Sequence, residues 1–390
     1  MKTARRTTRI SPAKRWGLIG AAALILCGFF WFLCVAEGEE LYEEQWQASG
    51  APEWIEQLPE ETKALLSDLG IDEFELSSIT TLQPKTAEKW LVSVAGEQGK
   101  TPFAVVGILL GTLLLCCLLN GTRLLAQEDA LSVTYKTVGI LAISTTLFLP
   151  LCRCITEVCE AMTGAFVLMG SFVPVYAGVL VSSGNPSVAL SFQSVVLFTA
   201  EAMTAVLSGG ITPLLTVSLG LGVAGSLDDT FPLSSISRFL NRLCTWTLGF
   251  FCTVFVGLLS LQTLVGTRAD GVAIRAVRFS LANLVPVIGN AVSEAFGTVQ
   301  NCLLVLRTTL GGIGILVTGI LLIPPLVRCG IWTLLLNFCA AVSDTLAFSA
   351  LSAVLRIAAD VTKALLGILV CTGLFLILSV TVVTLTANGG

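Results

Sequence analysis

Long apolar runs separated by short polar segments dominate this chain from residue 102 onward. A helix of about 20 apolar residues can cross a bilayer, whereas a transmembrane strand would alternate over about ten residues. The pattern therefore predicts an all-α, polytopic helical membrane protein. The predicted spans are 102–120, 131–151, 161–182, 243–265, 310–328, 329–348 and 364–386.

The stretch 188–227 is too long for a single crossing and contains the helix-interrupting sequence SGGITP. We interpret it as one crossing plus a shorter interfacial or re-entrant piece. This choice gives four crossings between segment 121–136 and the basic loop that runs from Arg268 to Arg278. Because Lys and Arg accumulate in cytoplasmic loops, both basic segments are then predicted to face the cytoplasm.

Helix breakers and amides interrupt the apolar pattern in residues 278–296. Non-helical backbone at membrane depth requires burial in protein or a water-filled cavity, and broken helices recur in transporters. The sequence predicts a kinked or re-entrant segment here, with a kinked interfacial helix lying flat at the cytoplasmic face as an equal alternative. The candidate pore, gate or helix-packing residues of this segment are Asn283, Pro286, Gly289, Asn290 and Glu294.

The N-terminal 100 residues have a different charge pattern. Residues 1–36 carry six basic and no acidic side chains, with an apolar run from Trp16 and a small-x-small sequence at its end. This predicts a signal peptide or an uncleaved anchor. Residues 37–99 carry fifteen acidic and three basic side chains, so we expect 37–100 to be an acidic, exported helical region. Residues 101–390 then form the multi-span domain.

Composition narrows the chemistry. Only 12% of the residues are charged, against about a quarter in soluble proteins, and histidine is absent. No nucleotide-binding or hydrolase motif is present, no basic patch suits nucleic acid, and Cys152, Cys154 and Cys159 lack zinc-site spacing. We expect a protein that is not an enzyme and that binds no cofactor, no metal and no nucleic acid.

Glu201 lies within an apolar segment, where carboxylates are costly and usually face a bundle interior or a water path. One interpretation is a proton or solute pathway. The other is a protonated carboxyl group that is hydrogen-bonded to a neighbouring helix. The glycine-rich sequence GLGVAG at 220–225 instead predicts close helix packing.

The order of these features resembles the stage III sporulation protein AE family, which is encoded in the mother-cell operon of endospore-forming bacteria. The resemblance covers most of the chain from about residue 100, and its most specific part lies in 257–296. The residues that carry it are Ala269, Asp270 and Gly271, then Arg275 and the Arg278–Phe279 pair, then Asn283, Pro286 and Gly289. We include Asp270 and Gly271 among the candidate site residues.

The resemblance implies a component of the channel-like complex that links mother cell and forespore, in the mother-cell membrane and needed for forespore development. Its implied partners are other membrane and ring-forming proteins of the complex, including a secretion-type ATPase, and a forespore-side protein. Membrane lipid is also expected, and homo-oligomer formation stays open. The alternatives are a secondary transporter with a site around Glu201, or a non-conducting assembly scaffold.

Overall fold

The structure is a computed structural model that describes residues 45–68, 84–126, 129–227, 233–284, 289–346 and 348–386. In this part of the chain the regular structure is entirely helical. The helices are α1 (Ala51–Glu56), α2 (Glu60–Asp68), α3 (Pro84–Ala126), α4 (Asp129–Ser182), α5 (Pro186–Val206), a π-helical turn (Leu207–Ile211), α6 (Thr212–Leu227), α7 (Leu233–Leu284), α8 (Gly289–Thr345) and α9 (Ser349–Thr386).

Six helical segments of the described chain are long and apolar enough to cross a membrane. They confirm the predicted class, an all-α polytopic membrane protein. Each segment has 31 to 49 residues, which exceeds the ~20 that a bilayer core requires. The segments are Glu88–Leu118, Thr137–Ser182, Pro186–Gly225, Leu233–Val277, Gly297–Thr345 and Ser349–Thr384.

Two pairs of predicted spans are single helices, so the loops expected between them are wrong. Helix α4 runs without interruption through residues 152–160, and α8 runs through the predicted boundary at 328/329. The charged residues Arg153, Glu157 and Glu160 lie on the exposed side of α4. Their low hydropathy therefore marks one polar face of a helix rather than a turn in the chain.

The segment 188–227 also forms one continuous rod. Helix α5 passes through the π-helical turn into α6, and the residues at both junctions keep right-handed helical backbone angles. The re-entrant piece predicted here is therefore wrong, whereas a single crossing agrees with the structure. The two glycines of SGGITP, Gly209 and Gly210, have no neighbouring atom within 4 Å of an added Cβ.

The helices pack side by side into a bundle with two distinct ends. At one end, Gly139 of α4 contacts Cys116 of α3 and Leu351 of α9; we call this the Gly139 end. At the other, Gly184 between α4 and α5 contacts Ile274 of α7; we call this the Gly184 end. From Gly139 to its last residue, Ser182, α4 is roughly 65 Å long at 1.5 Å per residue.

Residues 121–126 and 129–136 therefore lie at the Gly139 end, and the basic segment after Arg268 lies at the Gly184 end. The prediction that both face the cytoplasm is wrong for a bundle in which each long helix crosses once. Three long helical segments, rather than four crossings, connect the two regions. The error arose because α4 had been counted as two crossings.

The ends of α7 and α8 extend past the Gly184 turn. Ile274 of α7 and Gln300 of α8 both approach Gly184, at 3.1 Å and 3.6 Å from an added Cβ. Helix α7 continues for ten residues to Leu284, and α8 begins eleven residues before Gln300, at Gly289. Each extension is about 15 Å long.

The acidic N-terminal region packs onto the side of the bundle. Trp54 of α1 is 4% exposed, and its indole Nε1–H donates a hydrogen bond to Ser171 Oγ of α4 at 3.0 Å. Its ring centroid lies 5.1 Å from that of Phe172. Helix α2 begins directly after Pro59.

Exposed apolar side chains occur along much of α7, from Ile236 to Phe279, and along α3 from Leu91 to Leu118. Two stretches of them run in opposite directions from one level of the bundle. Arg328 of α8 bonds both Gln98 of α3 and Glu157 of α4, which fixes one level of the bundle. Helix α9 relates α4 to α7 at this level. Thr372 and Thr384 of α9 contact Met162 and Tyr176 of α4, so Gly367 of α9 lies at about the level of Glu157. An added Cβ on Gly367 would lie 3.7 Å from Thr245 of α7. From this level α3 runs toward the Gly139 end, and α7 runs toward the Gly184 end.

We call the exposed apolar residues of α3 from Phe103 to Leu118 the α3 stripe, and those of α7 from Trp246 to Val265 the α7 stripe. The α3 stripe is about 23 Å long and the α7 stripe about 29 Å long. The α3 stripe consists of Phe103, Ile108, Leu114, Leu115 and Leu118. The α7 stripe consists of Trp246, Phe250, Val254, Leu258, Leu261, Leu264 and Val265.

Candidate functional site

The most specific site residue, Asp270, caps a helix from a distant part of the chain. Its side chain is 3% exposed, and its carboxylate accepts hydrogen bonds from the backbone N–H groups of Ser187 and Val188. The N···O distances are 3.1 to 3.2 Å. These N–H groups belong to the first turn of α5 and have no acceptor within the helix. The negative charge also faces the positive end of the α5 dipole.

A local cap is missing because the N-cap residue is otherwise engaged. Asn185 makes no side-chain bond to the N–H groups of α5, and its Nδ2 instead donates to Ser183 O at 3.2 Å. Pro186 follows at the first helical position, where its missing N–H causes no loss. Asp270, 83 residues away along the chain from Ser187, supplies the acceptor.

Small residues bring α7 close to this turn. An added Cβ on Gly266, one helical turn before Asp270, would lie 3.1 Å from Val188 N. Gly184 adopts a left-handed φ of 84°, and the following N–H of Asn185 donates to Leu180 O at 2.9 Å, which closes α4. Gly266, Asp270 and Ile274 are spaced by four residues. They therefore form one face of α7 against the turn.

Gly271, the other candidate of this motif, is buried beside Asp270. Its carbonyl accepts a hydrogen bond from Arg275 Nε at 3.0 Å. The Ala-Asp-Gly motif thus has a structural role: the aspartate caps α5, and the glycine lies on the buried side of α7.

A buried arginine lies in the same half of the bundle. Arg307 of α8 is 1% exposed. One turn further along α8, Gly311 lies against Tyr176 and Thr384, whose hydroxyl groups are 2.6 Å apart. The Tyr176 ring packs against Phe172 and Phe192, with centroids 5.3 and 5.4 Å away.

Sequence reasoning did not select Arg307 as a site residue, although a signal was present. It is the one charged side chain in residues 297–327, just as Glu201 is the one charged side chain in Pro186–Gly225. A buried intramembrane charge marks a functional or strongly structural position.

Glu201 does not join this cluster. It lies 13 residues beyond Val188 on α5, or about 20 Å away, and its side chain is exposed on the outer surface of the chain. It therefore faces neither the interior of this bundle nor a hydrogen-bonding neighbour within it. The nearby Phe198 ring lies 5.9 Å from that of Phe255 on α7, so Glu201 borders the α7 stripe.

The remaining candidate residues cannot be placed against this geometry. Pro286 lies outside the described residues, and so do the side chains of Asn283, Asn290 and Glu294 and the surroundings of Gly289. The described backbone has α7 ending at Leu284 and α8 beginning at Gly289.

The glycine-rich sequence at 220–225 does mark close helix packing, as predicted. An added Cβ on Gly222 would lie 2.2 Å from Ile357 Cγ2, and one on Gly225 would lie 2.9 Å from Leu233 Cβ. One turn before Gly222, the buried Ser218 hydroxyl donates to Asn241 Oδ1 at 2.8 Å and lies 3.0 Å from Ser237 Oγ.

The polar groups described around Asp270 and around Ser218 hold helices together. They form hydrogen bonds with one another or with the backbone. Cys152, Cys154 and Cys159 are free cysteines along α4. The asparagine, proline and glutamate positions of 278–296 follow Asp270 along the chain. The Asp270 contact therefore fixes α7 against the α4–α5 turn just before that segment begins.

Comparison with known proteins identifies the relatives of this architecture. The sequence is 27% identical over 328 residues to the stage III sporulation protein AE of Bacillus subtilis (strain 168), covering 77% of this chain and 79% of the relative. No solved structure matches it. The sequence model of the family described as stage III sporulation protein AE matches residues 73–387, which include Glu201, Asp270 and Arg307. This protein, a multi-helix membrane chain, therefore belongs to the stage III sporulation protein AE family.

Proposed function

We propose that this protein is a membrane component of the channel-like, secretion-type complex that connects mother cell and forespore, and that it is required for forespore development. Membership of the sporulation family supports the biological setting, and the six long apolar helices support residence in a membrane. The observation that carries the role in a larger assembly is the opposed placement of the two apolar stripes.

One bilayer cannot cover both stripes of an upright bundle. From Leu118 of α3 to Val265 of α7 they extend over about 60 Å along the axis, including the gap between them, while the hydrocarbon core is about 30 Å thick. Large exposed apolar surfaces that lipid does not cover are typical of protein interfaces. At least one stripe is therefore assigned to other subunits of the complex.

Glu201 favours the α7 stripe as the protein-facing surface. A carboxylate that faces lipid at mid-span costs about 2.5–3.5 kcal/mol on insertion scales. Neither stripe contains a charged residue of its own, and the exposed Glu201 of α5 borders the α7 stripe. In the proposal, the α3 stripe contacts lipid, and the surface of Glu201 and the α7 stripe contacts protein.

The same reasoning assigns any conduit to the space between chains. Phe172, Tyr176 and Phe192 are each at most 1% exposed and fill the bundle interior between α4 and α5. Glu201 lies on the outside, where it would border a path shared with a partner or a second copy. This outward position argues against a stand-alone transporter with its site around Glu201. An assembly scaffold is the second candidate, because the tightly packed interior suits it.

The proposed orientation places the Gly139 end in the cytoplasm of the mother cell. The helix ends there carry Arg123, Lys136, Arg238 and Arg242, against Arg268, Arg275 and Arg278 at the Gly184 end, so the positive-inside rule favours this orientation by a small margin. The acidic α1–α2 region packs on the Gly184 half and would face the space between the two membranes. A secretion-type ATPase would then act at the Gly139 end, and ring-forming and forespore-side partners at the Gly184 end.

Photo-crosslinking in sporulating cells tests the assignment of the two surfaces. A photoreactive amino acid is placed at Val254 or Leu258 of the α7 stripe, and at Ile108 or Leu115 of the α3 stripe as matched controls. All four side chains are exposed and apolar. The α7 positions should give adducts with this protein or with other proteins of the complex, and the α3 positions should give lipid adducts.

The outcome separates the candidate roles. Lipid adducts alone from the α7 positions, with spore formation intact, would contradict a protein-facing α7 stripe. Protein adducts at α7 without any labelling of Glu201→Cys by a membrane-impermeant thiol reagent would favour the scaffold over the conduit.

A further inference from the structure

A cleft opens where α3, α4 and α8 meet, on the face that carries the α3 stripe. Its volume is about 180 Å³, and Thr101, Pro150, Arg153 and Trp332 are among the residues that line it. It lies at the level of the Arg328 contacts, about midway along the bundle. None of the roles considered above uses it.

The cleft has one cation left after its internal pairing. Arg328 donates to Gln98 Oε1 at 2.6 Å and forms an ion pair with Glu157, so these two charges compensate each other. Arg153 also lines the cleft and is exposed. Within the described part of the chain, no carboxylate lies within ion-pair distance of Arg153. The cleft therefore has a net positive charge, with Thr101 on its wall as a hydroxyl donor.

The surroundings of the cleft change from apolar to mixed along the bundle axis. Toward the Gly139 end, the exposed side chains include Phe103, Leu149 and Leu334, at 60, 58 and 73% exposure. Toward the Gly184 end, carboxylates enter the exposed surface of α3 and α4 at Glu97 and Glu160, beside the apolar Leu91 and Val92. Arg153 thus lies where the exposed surface stops being purely apolar.

We propose that this cleft binds the phosphate group of an anionic phospholipid. The Arg153 guanidinium donates to the phosphate oxygens, with the geometry in which arginine binds phosphate bidentately. The Thr101 hydroxyl is the second donor. The acyl chains extend from the cleft along Leu149 and Phe103 toward the Gly139 end, and the buried Trp332 forms the floor.

The position of the boundary supports a lipid rather than a soluble phosphate. Apolar side chains extend along α3 from the cleft to Leu118, about 26 Å, which is close to the ~30 Å thickness of one hydrocarbon core. The cleft therefore lies at headgroup height when the α3 stripe contacts lipid. Free phosphate would use Arg153 and Thr101 but would leave the apolar rim without an occupant.

The test measures lipid binding to the full-length protein in detergent by native mass spectrometry. Phosphatidylglycerol is compared with phosphatidylcholine of the same acyl chains, because the two differ in net charge. Arg153→Gln should weaken phosphatidylglycerol binding about tenfold and should change phosphatidylcholine binding little. Arg153→Lys should restore part of the difference, and Thr101→Val should reduce it with shape retained. Arg242→Gln, at an exposed arginine of α7 outside the cleft, is the matched control.

Two results would overturn the proposal. Equal loss of phosphatidylglycerol in Arg153→Gln and Arg242→Gln would show only general electrostatic attraction. Complete displacement of the lipid by millimolar inorganic phosphate would assign the cleft to a soluble anion. A gel-filtration profile and melting midpoint equal to the wild type confirm that Arg153→Gln is folded. This assay requires no partner protein, so its failure is distinct from failure of the proposed role in the complex.

Discussion

Asp270→Ala should detach the first turn of α5 from α7. The substitution removes the acceptor of two N–H groups, and one of them belongs to Val188, which is fully buried. Losing a charged acceptor for a buried N–H costs about 1.5–3 kcal/mol, and the lost interaction with the helix dipole adds about 0.3–1 kcal/mol. We expect a total of roughly 2–4 kcal/mol, and about half as much for Asp270→Asn, which keeps one acceptor oxygen.

The measurement is amide hydrogen exchange of the full-length protein in detergent, read at residues 187–190. If the free energy of local opening falls by at least about 2 kcal/mol, exchange there becomes about thirtyfold faster, because each ~1.4 kcal/mol changes the rate by a factor of ten. The matched control is Asp360→Ala. Asp360 is paired with Lys363 at 3.4 Å on the exposed side of α9. A partly exposed pair of this kind contributes less than about 1 kcal/mol.

The cap assignment fails if Asp270→Ala leaves exchange at 187–190 unchanged. It also fails if Asp270→Ala and Asp360→Ala lower the unfolding midpoint equally. Exchange at 372–376 of α9, distant from the cap, should remain at the wild-type rate in both variants. A general increase along all helices would indicate global unfolding rather than a released helix start.

The other predictions concern close packing, the outward carboxylate and the N-terminal contact. Gly266→Ala should destabilise the folded protein by about 1–3 kcal/mol, because the new Cβ would press on the α5 backbone. Gly312→Ala, where an added Cβ has no atom within 4 Å, should instead stabilise it by up to about 1 kcal/mol. Thermal unfolding of the two variants measures the difference. Glu201→Leu should lower spore yield about tenfold at unchanged protein level, and Glu201→Gln should lower it less. Equal spore yields for the wild type and both variants would contradict a contact between Glu201 and a partner protein. Trp54→Ala should expose the α1–α2 region to protease within an intact bundle, because it removes the Ser171 bond and the ring contact; an unchanged cleavage rate would show that this region is held elsewhere.

Hydropathy gave the fold class, but it could not distinguish a polar helix face from a loop. The charges from Arg153 to Glu160 lowered the mean hydropathy of α4 and divided it into two predicted spans. They lie on its exposed side, and one of them is paired with Arg328, more than 150 residues away. Such pairing depends on tertiary packing and leaves no local pattern in the sequence.

For the candidate site, too, the sequence indicated unusual residues but did not indicate the groups that they contact. The sequence singled out Asp270 and Gly271, but the target of the carboxylate, the start of α5, depends on how α7 packs. The sequence also singled out Glu201 as unusual. Its outward direction could not be inferred, because the rotation of α5 about its own axis is set by the helices that pack against it. Arg307 met the same criterion as Glu201 and was overlooked within a segment of several charges.

The uninterrupted α4 makes the two ends of this protein mechanically dependent on each other. Between Gly139 and Ser182 the helix acts as a lever about 65 Å long that stays helical through Pro150 and Pro174. A tilt of about 5° about one end would displace the other by about 6 Å, which is close to one helical turn. A partner that moves the Gly139 end therefore repositions the α4–α5 turn, together with the Asp270 contact, without any helix having to unfold.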